Sequence, residues 1–252
     1  MLLQDFDNKI GNPFIEFTQI DSTNNYAMEA ARNHKAKHGA AFFAHEQTGG
    51  KGMRGHKWSG ESGKNIALSV LLQPDWLPVS EQFQLSAMVA VAVQDFLSNY
   101  IPEPKIKWPN DIYLNNKKAT GILIENILKG NEWQWAVAGI GININQTTFP
   151  PEIAGKAISL KQLTGKDYDT VLLAKELCQY LEKWFKILQN DGFPEILKTY
   201  NSVLFRRNEY VKFSNGEKTF LLKVLGVNEK GLLMSDSKEF PLLSHGEMEW
   251  MV

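Results

Sequence analysis

The stretch Ala138-Gly139-Ile140-Gly141-Ile142-Asn143-Ile144-Asn145 alternates with period two, isoleucine on one face and glycine or asparagine on the other. Period two is a strand's period, because successive Cβ atoms point to opposite faces of a sheet. The isoleucine face must be core. The opposite face is stripped of bulk, which suits a flat ligand lying against the strand and equally suits a helix crossing close to the backbone.

Further strands are expected at residues 40–45, Ile66–Leu72, Lys105–Lys107, Asp111–Leu114, 120–125 and 133–144. Turn residues at Asn115-Asn116 and Lys129-Gly130-Asn131 join several of them as hairpins. Helical periodicity appears in three places. Asp21 or Ser22 can cap a helix running through Tyr26, Ala27, Ala30 and Ala31. Ser80 precedes a one-faced stripe of Leu85, Met88, Val89, Ala92 and Phe96, and Asp169 or Thr170 precedes Leu173, Leu177, Tyr180, Leu181, Trp184 and Leu188. Helices packed on a mixed, largely antiparallel sheet make an α+β fold. From about Glu209 only short strand patterns remain, at residues 210–213, 220–227, 232–235 and 247–251, separated by Asn215-Gly216, Lys230-Gly231 and His245-Gly246. A compact barrel is the simplest closed form of such a module. Domains are therefore expected at residues 1–205 and 206–252.

Lys+Arg 27 against Asp+Glu 28 leaves a formal net charge of -1, which gives no general field for nucleic acid or anionic lipid. Basic function must come from local clusters. The single Cys178 cannot form an internal disulfide, and its place in an apolar helical stripe reads as a small buried residue. Met1-Leu2-Leu3 runs at once into Gln4-Asp5-Phe6-Asp7, unlike a signal peptide, and no apolar run reaches the ~20 residues that span a bilayer. These features point to a cytoplasmic protein without membrane or nucleic-acid partners.

Four segments can carry chemistry. Glu46-Gln47-Thr48-Gly49-Gly50-Lys51-Gly52-Met53-Arg54-Gly55-His56-Lys57-Trp58 concentrates four glycines, three cations and a histidine between two strands. Its glycines let backbone approach a ligand, and Lys51, Arg54 and Lys57 can surround phosphate oxygens; a flexible basic surface loop is the plainer reading. It is neither a Walker loop nor a dinucleotide fingerprint. In Lys105-Ile106-Lys107-Trp108-Pro109-Asn110-Asp111, the proline breaks ladder pairing and can present Lys107, Asn110 and Asp111 together, unless the Asn-Asp pair merely satisfies a hairpin turn. Lys118 precedes the apolar strand containing Gly121, where it can point into a pocket or simply solvate a turn. The Gly139–Asn145 face is the fourth.

The order Asp21-Ser22-Thr23-Asn24, the loop ending in Trp58, Lys107-Trp108-Pro109-Asn110-Asp111, Lys118-Ala119-Thr120-Gly121-Ile122-Leu123-Ile124-Glu125 and Gly139-Ile140-Gly141-Ile142-Asn143 resembles the biotin protein ligase family. The resemblance covers nearly the whole chain. It implies a mixed sheet with helices on one side, related to class II aminoacyl-tRNA synthetases, followed by an SH3-like barrel. It implies that biotin and ATP form biotinyl-5′-AMP, and that biotin then passes to a lysine of a biotin carboxyl carrier protein, such as that of acetyl-CoA carboxylase. Mg²⁺ would arrive on the substrate phosphates rather than in a protein metal site.

By the same resemblance, Ser22, Thr23 and Asn24 line the biotin ring pocket, and Gln47, Gly50, Lys51, Gly52 and Met53 belong to the loop that closes over biotin. Lys51, Arg54, Gly55, His56, Lys57 and Trp58 extend that loop over the adenylate. Lys118 contacts both the biotin carboxyl and the phosphoryl group. Asn110 and Asn143 lie beside the adenine. Lys118, Lys107, Asp111 and Arg54 form the catalytic set, with the two lysines placing fixed charge where two anions must meet. The family more often carries arginines where Lys51 and Met53 stand, so the grip on the adenylate is either looser or falls to Arg54 and His56. Near Ala157 some members place an aromatic over the adenine, which alanine cannot do. Only residues 1–20 precede the first motif, too few for a helix-turn-helix reader, so the ligase-only type is expected, with a side-by-side homodimer as its possible assembly. The alternatives are a lipoate or octanoate ligase of the same fold, whose loop usually has an Arg-Arg pair absent here, and a non-catalytic biotin-binding regulator.

Overall fold

The computed structural model describes residues 9–130 and 132–251. The opening residues 1–7, read above for a leader, and Asn131 of the second hairpin turn lie outside them. Seven strands form the main sheet: β1 (Phe14–Ile20), β2 (Ala41–Gln47), β3 (Ile66–Leu72), β4 (Lys105–Lys107), β5 (Asp111–Leu114), β6 (Lys117–Lys129) and β7 (Glu132–Ile142). Their order is β1-β2-β3-β7-β6-β5-β4. The β1–β2 pair is parallel and the other pairs are antiparallel, so the sheet is mixed and largely antiparallel as expected.

Helices α1 (Thr23–Arg32), α2 (Gln82–Leu97), α3 (Pro151–Ala154), α4 (Leu160–Thr164), α5 (Thr170–Gln189) and α6 (Phe193–Ser202) complete the larger part. Ser22 caps α1, its Oγ accepting from Asn25 N–H, and Asp169 caps α5 by accepting from Val171 and Leu172 N–H. Ser80 does not cap α2. It lies in a short 3₁₀ turn, and α2 begins after Glu81 without a side-chain cap. Nor is α2 one-faced: it is buried on nearly every side, from Ala87 through Val93 without a break, because it packs against the sheet, α5 and α6 together. Sequence patterning missed β1, an edge strand with no buried position, and the short helices α3, α4 and α6.

Strand parity separates the two faces of the sheet. Phe43, Leu72, Ala138, Ile140 and Ile142 point into the main core with α2 and α5. Phe42, Leu71 and Val137 point the other way and meet Ala27, Ala30 and Ala31 of α1. Helices thus cover both faces, not one. On the α1 face the large side chains stop where Gly139 begins. Cys178 is buried in α5, and burial pushes its thiol up to about 12, as an inert core residue should be.

After α6 come β8 (Tyr210–Ser214), β9 (Thr219–Val227), β10 (Leu233–Ser235), β11 (Leu242–Leu243) and β12 (Glu249–Trp250). They form an antiparallel five-stranded sheet, order β11-β10-β9-β8-β12, consistent with an SH3-like module. The module is pinned to the β4 end of the main sheet. Phe205 N donates to Ile106 O, Asn201 exchanges two hydrogen bonds with the Val227 backbone, and Trp108 Nε1 donates to Gly231 O at 2.9 Å. Among the described residues no helix is long and apolar enough to cross a membrane.

Candidate functional site

A cavity of about 580 Å³ opens on the α1 face of the main sheet, over the strands that carry the glycines. The register places Lys107, Asp111, Gly121, Gly141 and Ala67 in one row across five strands, and Leu123, Gly139 and Ser69 in the next. One end of the floor is therefore charged, and its middle has no side chains.

Lys118 reaches this face through an irregularity. Lys118 and Gly121 are three residues apart, so in an unbroken strand they would face opposite ways. The β5–β6 register shifts between Ile112 and Tyr113, so that Ile112 opposes Thr120 and Tyr113 opposes Lys118. Ala119 is the extra residue of this bulge, and its carbonyl accepts from Asn143 N–H at 2.9 Å. Lys118 thereby lies on the same side as Asp111, Nζ 2.8 Å from Oδ1. At 38% and 21% side-chain exposure, this pair contributes no more than about 1 kcal/mol. An incoming anion can therefore compete for the lysine at little expense to the fold.

Lys107 is more enclosed. Burial lowers its pKa, with Lys118 and Lys156 acting in the same direction and Asp111 and Glu249 opposing. Asn110 is buried, and its Nδ2 meets both Ile122 O and Met53 Sδ. The sulfur that replaces an expected arginine thus packs on an amide.

A chain of polar side chains forms the floor beside α1. Thr23 N and Oγ1 donate to Gln47 Oε1 at 2.9 and 3.1 Å. Ser69 Oγ lies 2.7 Å from Thr23 Oγ1 and 2.6 Å from Asn24 Oδ1, and Asn24 Nδ2 donates to Glu125 Oε2 at 2.8 Å. Ser69 and Asn24 are buried, so each partner is needed to offset desolvation. Ser69 and Glu125 were not singled out from sequence. Parity puts Ser69 on the glycine face only once strand Ile66–Leu72 is paired with the Gly139 strand in the right register.

The glycine-rich loop forms a hairpin above this floor. Trp58 N donates to Gly50 O, Gly52 N to His56 O, and Lys51 bridges Lys57. At its tip Arg54 takes a left-handed conformation, φ 55°. Trp58 then turns inward: a Cβ on Gly121 would lie 3.1 Å from its ring, and one on Gly141 would collide with the indole. A Cβ on Gly139 would collide with Asn24. Both readings of the bare strand face are therefore partly realised, by a side chain from the helix terminus and by a flat ring from the chain itself.

Of the residues singled out from sequence, most line the cavity, but Gly50, Gly55 and Asn143 do not. Gly50 is a backbone partner of Trp58, and Gly55 sits at the hairpin tip with φ 77°. Asn143 Nδ2 donates to Ile158 O, so the side chain braces the segment beside Lys118. Ala157 lies in that segment, bridged to Lys118. The C-terminal module supplies a wall that sequence patterning left unassigned: His245, Gly246, Met248, Glu249 and Trp250. Arg54 rests its guanidinium over Gly246, where any Cβ would intrude.

Residues 16–143 match the model of the Biotin/lipoate A/B protein ligase family. The chain is 32% identical over 233 residues to the bifunctional ligase/repressor BirA of Bacillus spizizenii, covering 91% of this chain and 71% of that protein. It is 29% identical over 222 residues to the biotin--[acetyl-CoA-carboxylase] ligase of Paracoccus denitrificans, covering 86% and 91%. Among solved structures, biotin protein ligase from Aquifex aeolicus in complex with biotin and ATP superposes with a TM-score of 0.80 at 30% identity, covering 94% of this chain and 97% of that one.

Proposed function

The chain belongs to the Biotin/lipoate A/B protein ligase family, and we propose that its cavity carries out ATP-dependent biotin ligation in two steps. The observation that carries this reading is a side-chain-free sheet floor with Lys107 and Lys118 fixed at one end and a polar chain, Thr23 to Glu125, at the other. Its volume, about 580 Å³, lies in the range of small-ligand clefts. In the first step a biotin carboxylate oxygen bonds to the α-phosphorus of ATP and pyrophosphate leaves. In the second, the amine of an acceptor lysine bonds to the biotinyl carbonyl carbon, AMP leaves, and the amine gives up a proton.

Lys118 and Lys107 would hold the two anions together against their repulsion. Once Lys118 turns to the phosphoryl oxygens, the carboxylate of Asp111 is free to take the amine's proton. Ser22, Thr23, Asn24 and Gln47 would bind the biotin ring, with Gly50, Lys51, Gly52 and Met53 above it. Arg54, Gly55, His56, Lys57 and Trp58 would close over the adenylate and exclude water from the anhydride. Asn110 would contact the adenine directly, and Asn143 would act by bracing the Lys118 segment. The cavity donor set fits Mg²⁺ carried by the triphosphate: Asp111 and Glu249 are the carboxylates on its wall that could add a protein oxygen, and the ion would neutralise phosphate charge. The acceptor is proposed to be a carboxylase carrier domain. The division at residues 205 and 206, a homodimeric assembly, a cytoplasmic setting and the absence of nucleic-acid binding belong to the same proposal.

Mass spectrometry of a carrier domain after incubation with enzyme and ATP, with either biotin or lipoate, tests the reading. A mass increase matching biotinylation is expected; lipoylation alone would transfer the site to the lipoate branch. The floor has its own test. Ser69→Ala removes the hydroxyl beside Asn24 Oδ1 and should raise the KM for biotin about 5-fold, the equivalent of one lost hydrogen bond, with kcat nearly unchanged. An unchanged KM would detach Ser69 from biotin binding.

A further inference from the structure

Lys107 is the site's most enclosed cation, and the two domains enclose it jointly. Its Nζ lies 5.3 Å from the centroid of the Tyr113 ring on β5 and 5.8 Å from that of Trp250 on β12. Trp250 is itself held, 5.0 Å from the Phe213 ring and 6.3 Å from that of Phe205, and is 7% exposed. Lysine has a flexible four-carbon stem and its ammonium is strongly hydrated, so it settles in one place only when something compensates the lost water. Ring faces do so, because their negative quadrupole attracts a cation, whereas an aliphatic wall desolvates it without return.

We propose that Trp250 is a positioning residue for adenylate formation: with Tyr113 it forms an aromatic sleeve that fixes Lys107 at the charged end of the cavity, so the catalytic sheet is complete only with the C-terminal module docked. This rests on the reading of Lys107 as a cation that faces the substrate anions. The charged and titratable groups around Lys107 are Asp111, opposite it in register; Lys118 on β6; Lys156; Glu249 on β12; and Tyr113, whose phenol burial pushes up to about 12. Asp111 and Glu249 attract Lys107 while Lys118 and Lys156 repel it, and burial still outweighs them and lowers its pKa, so the rings are the contacts that compensate the lost water.

Trp250→Phe keeps a ring face and Trp250→Leu keeps apolar volume alone. Biotin-dependent ATP–pyrophosphate exchange should stay within about 3-fold of wild type for Phe and fall at least about 10-fold in kcat/KM for ATP for Leu, with the KM for biotin unmoved. The alkaline limb of the profile should move to higher pH in Leu, because Lys107 escapes to water and loses the burial that lowers its pKa. An activity-free readout is the Lys107 resonance in protein labelled with ¹³Cε-lysine, assigned through Lys107→Arg. The ring-current shift should persist in Phe and vanish in Leu. Equal activity of the two variants with an unmoved resonance overturns the sleeve, as does equal impairment matched by equal loss of Tm. Wild type without any biotin-dependent exchange would instead sink the functional reading, while the resonance still decides the geometry.

Discussion

Lys118→Ala is expected to lower biotin-dependent ATP–pyrophosphate exchange by about 100- to 1,000-fold, the scale seen when one fixed electrostatic donor is removed from a developing anion. The same variant should melt within a few degrees of wild type. The reason lies in exposure. The pair with Asp111 is partly open to solvent, so losing it takes away no more than about 1 kcal/mol and leaves no buried, unpaired carboxylate. Transfer from preformed biotinyl-5′-AMP to a carrier domain should suffer less than adenylate formation, because one anion has already been consumed. Lys118→Arg should recover only part of the rate: it keeps the charge, but its planar fork pairs bidentately with Asp111 and does not present the compact, freely turning ammonium that Lys118 offers the substrate anions. Near-normal exchange in the alanine variant would remove Lys118 from the mechanism. A large fall in Tm would show that the bulge, not the charge, was lost.

That lysine also marks where sequence reasoning reaches its limit. The isoleucine face of the Gly139–Asn145 run is core in the structure, and Asp169 and Ser22 cap the helices their positions suggest, because these features depend on local period and local hydrogen bonds. Strands Ile66–Leu72, Lys105–Lys107 and Asp111–Leu114 match their expected bounds for the same reason. Lys118 differs. Counting by twos from Gly121 assigns it to the wrong face, and only the partner strand reveals that Ala119 is absorbed in a bulge. Ser69 and Glu125 join the floor through pairings of distant strands. Trp250 and Gly246 reach the cavity only because the C-terminal module docks against β4. No pattern within the last few residues could foretell that, since the contact depends on tertiary packing rather than on period.

Gly141→Val is expected to weaken biotin binding by up to about 100-fold, and Trp58 is the reason. Valine is at home in a central strand, and both neighbouring strands pair through Gly141 by backbone alone, so the ladder survives. What does not survive is the space above it. A Cβ at this position runs into the Trp58 indole, and valine adds two further methyls. Overpacking of this kind costs about 1–3 kcal/mol if the neighbour stays, and the hairpin tied by the Gly50–Trp58 hydrogen bond would have to lift if it moves. Each 1.4 kcal/mol is a factor of ten in affinity, which sets the upper figure at about 100-fold. Calorimetric titration of biotin into wild type, Gly141→Val, Trp58→Ala and the double variant separates two causes. If the collision with Trp58 is responsible, the valine substitution should weaken binding far less in the Trp58→Ala background, a non-additivity of at least about 1 kcal/mol between residues in contact. Strict additivity would mean that valine acts on the ligand directly, and the bare strand face would then belong to the substrate rather than to the tryptophan that lies on it.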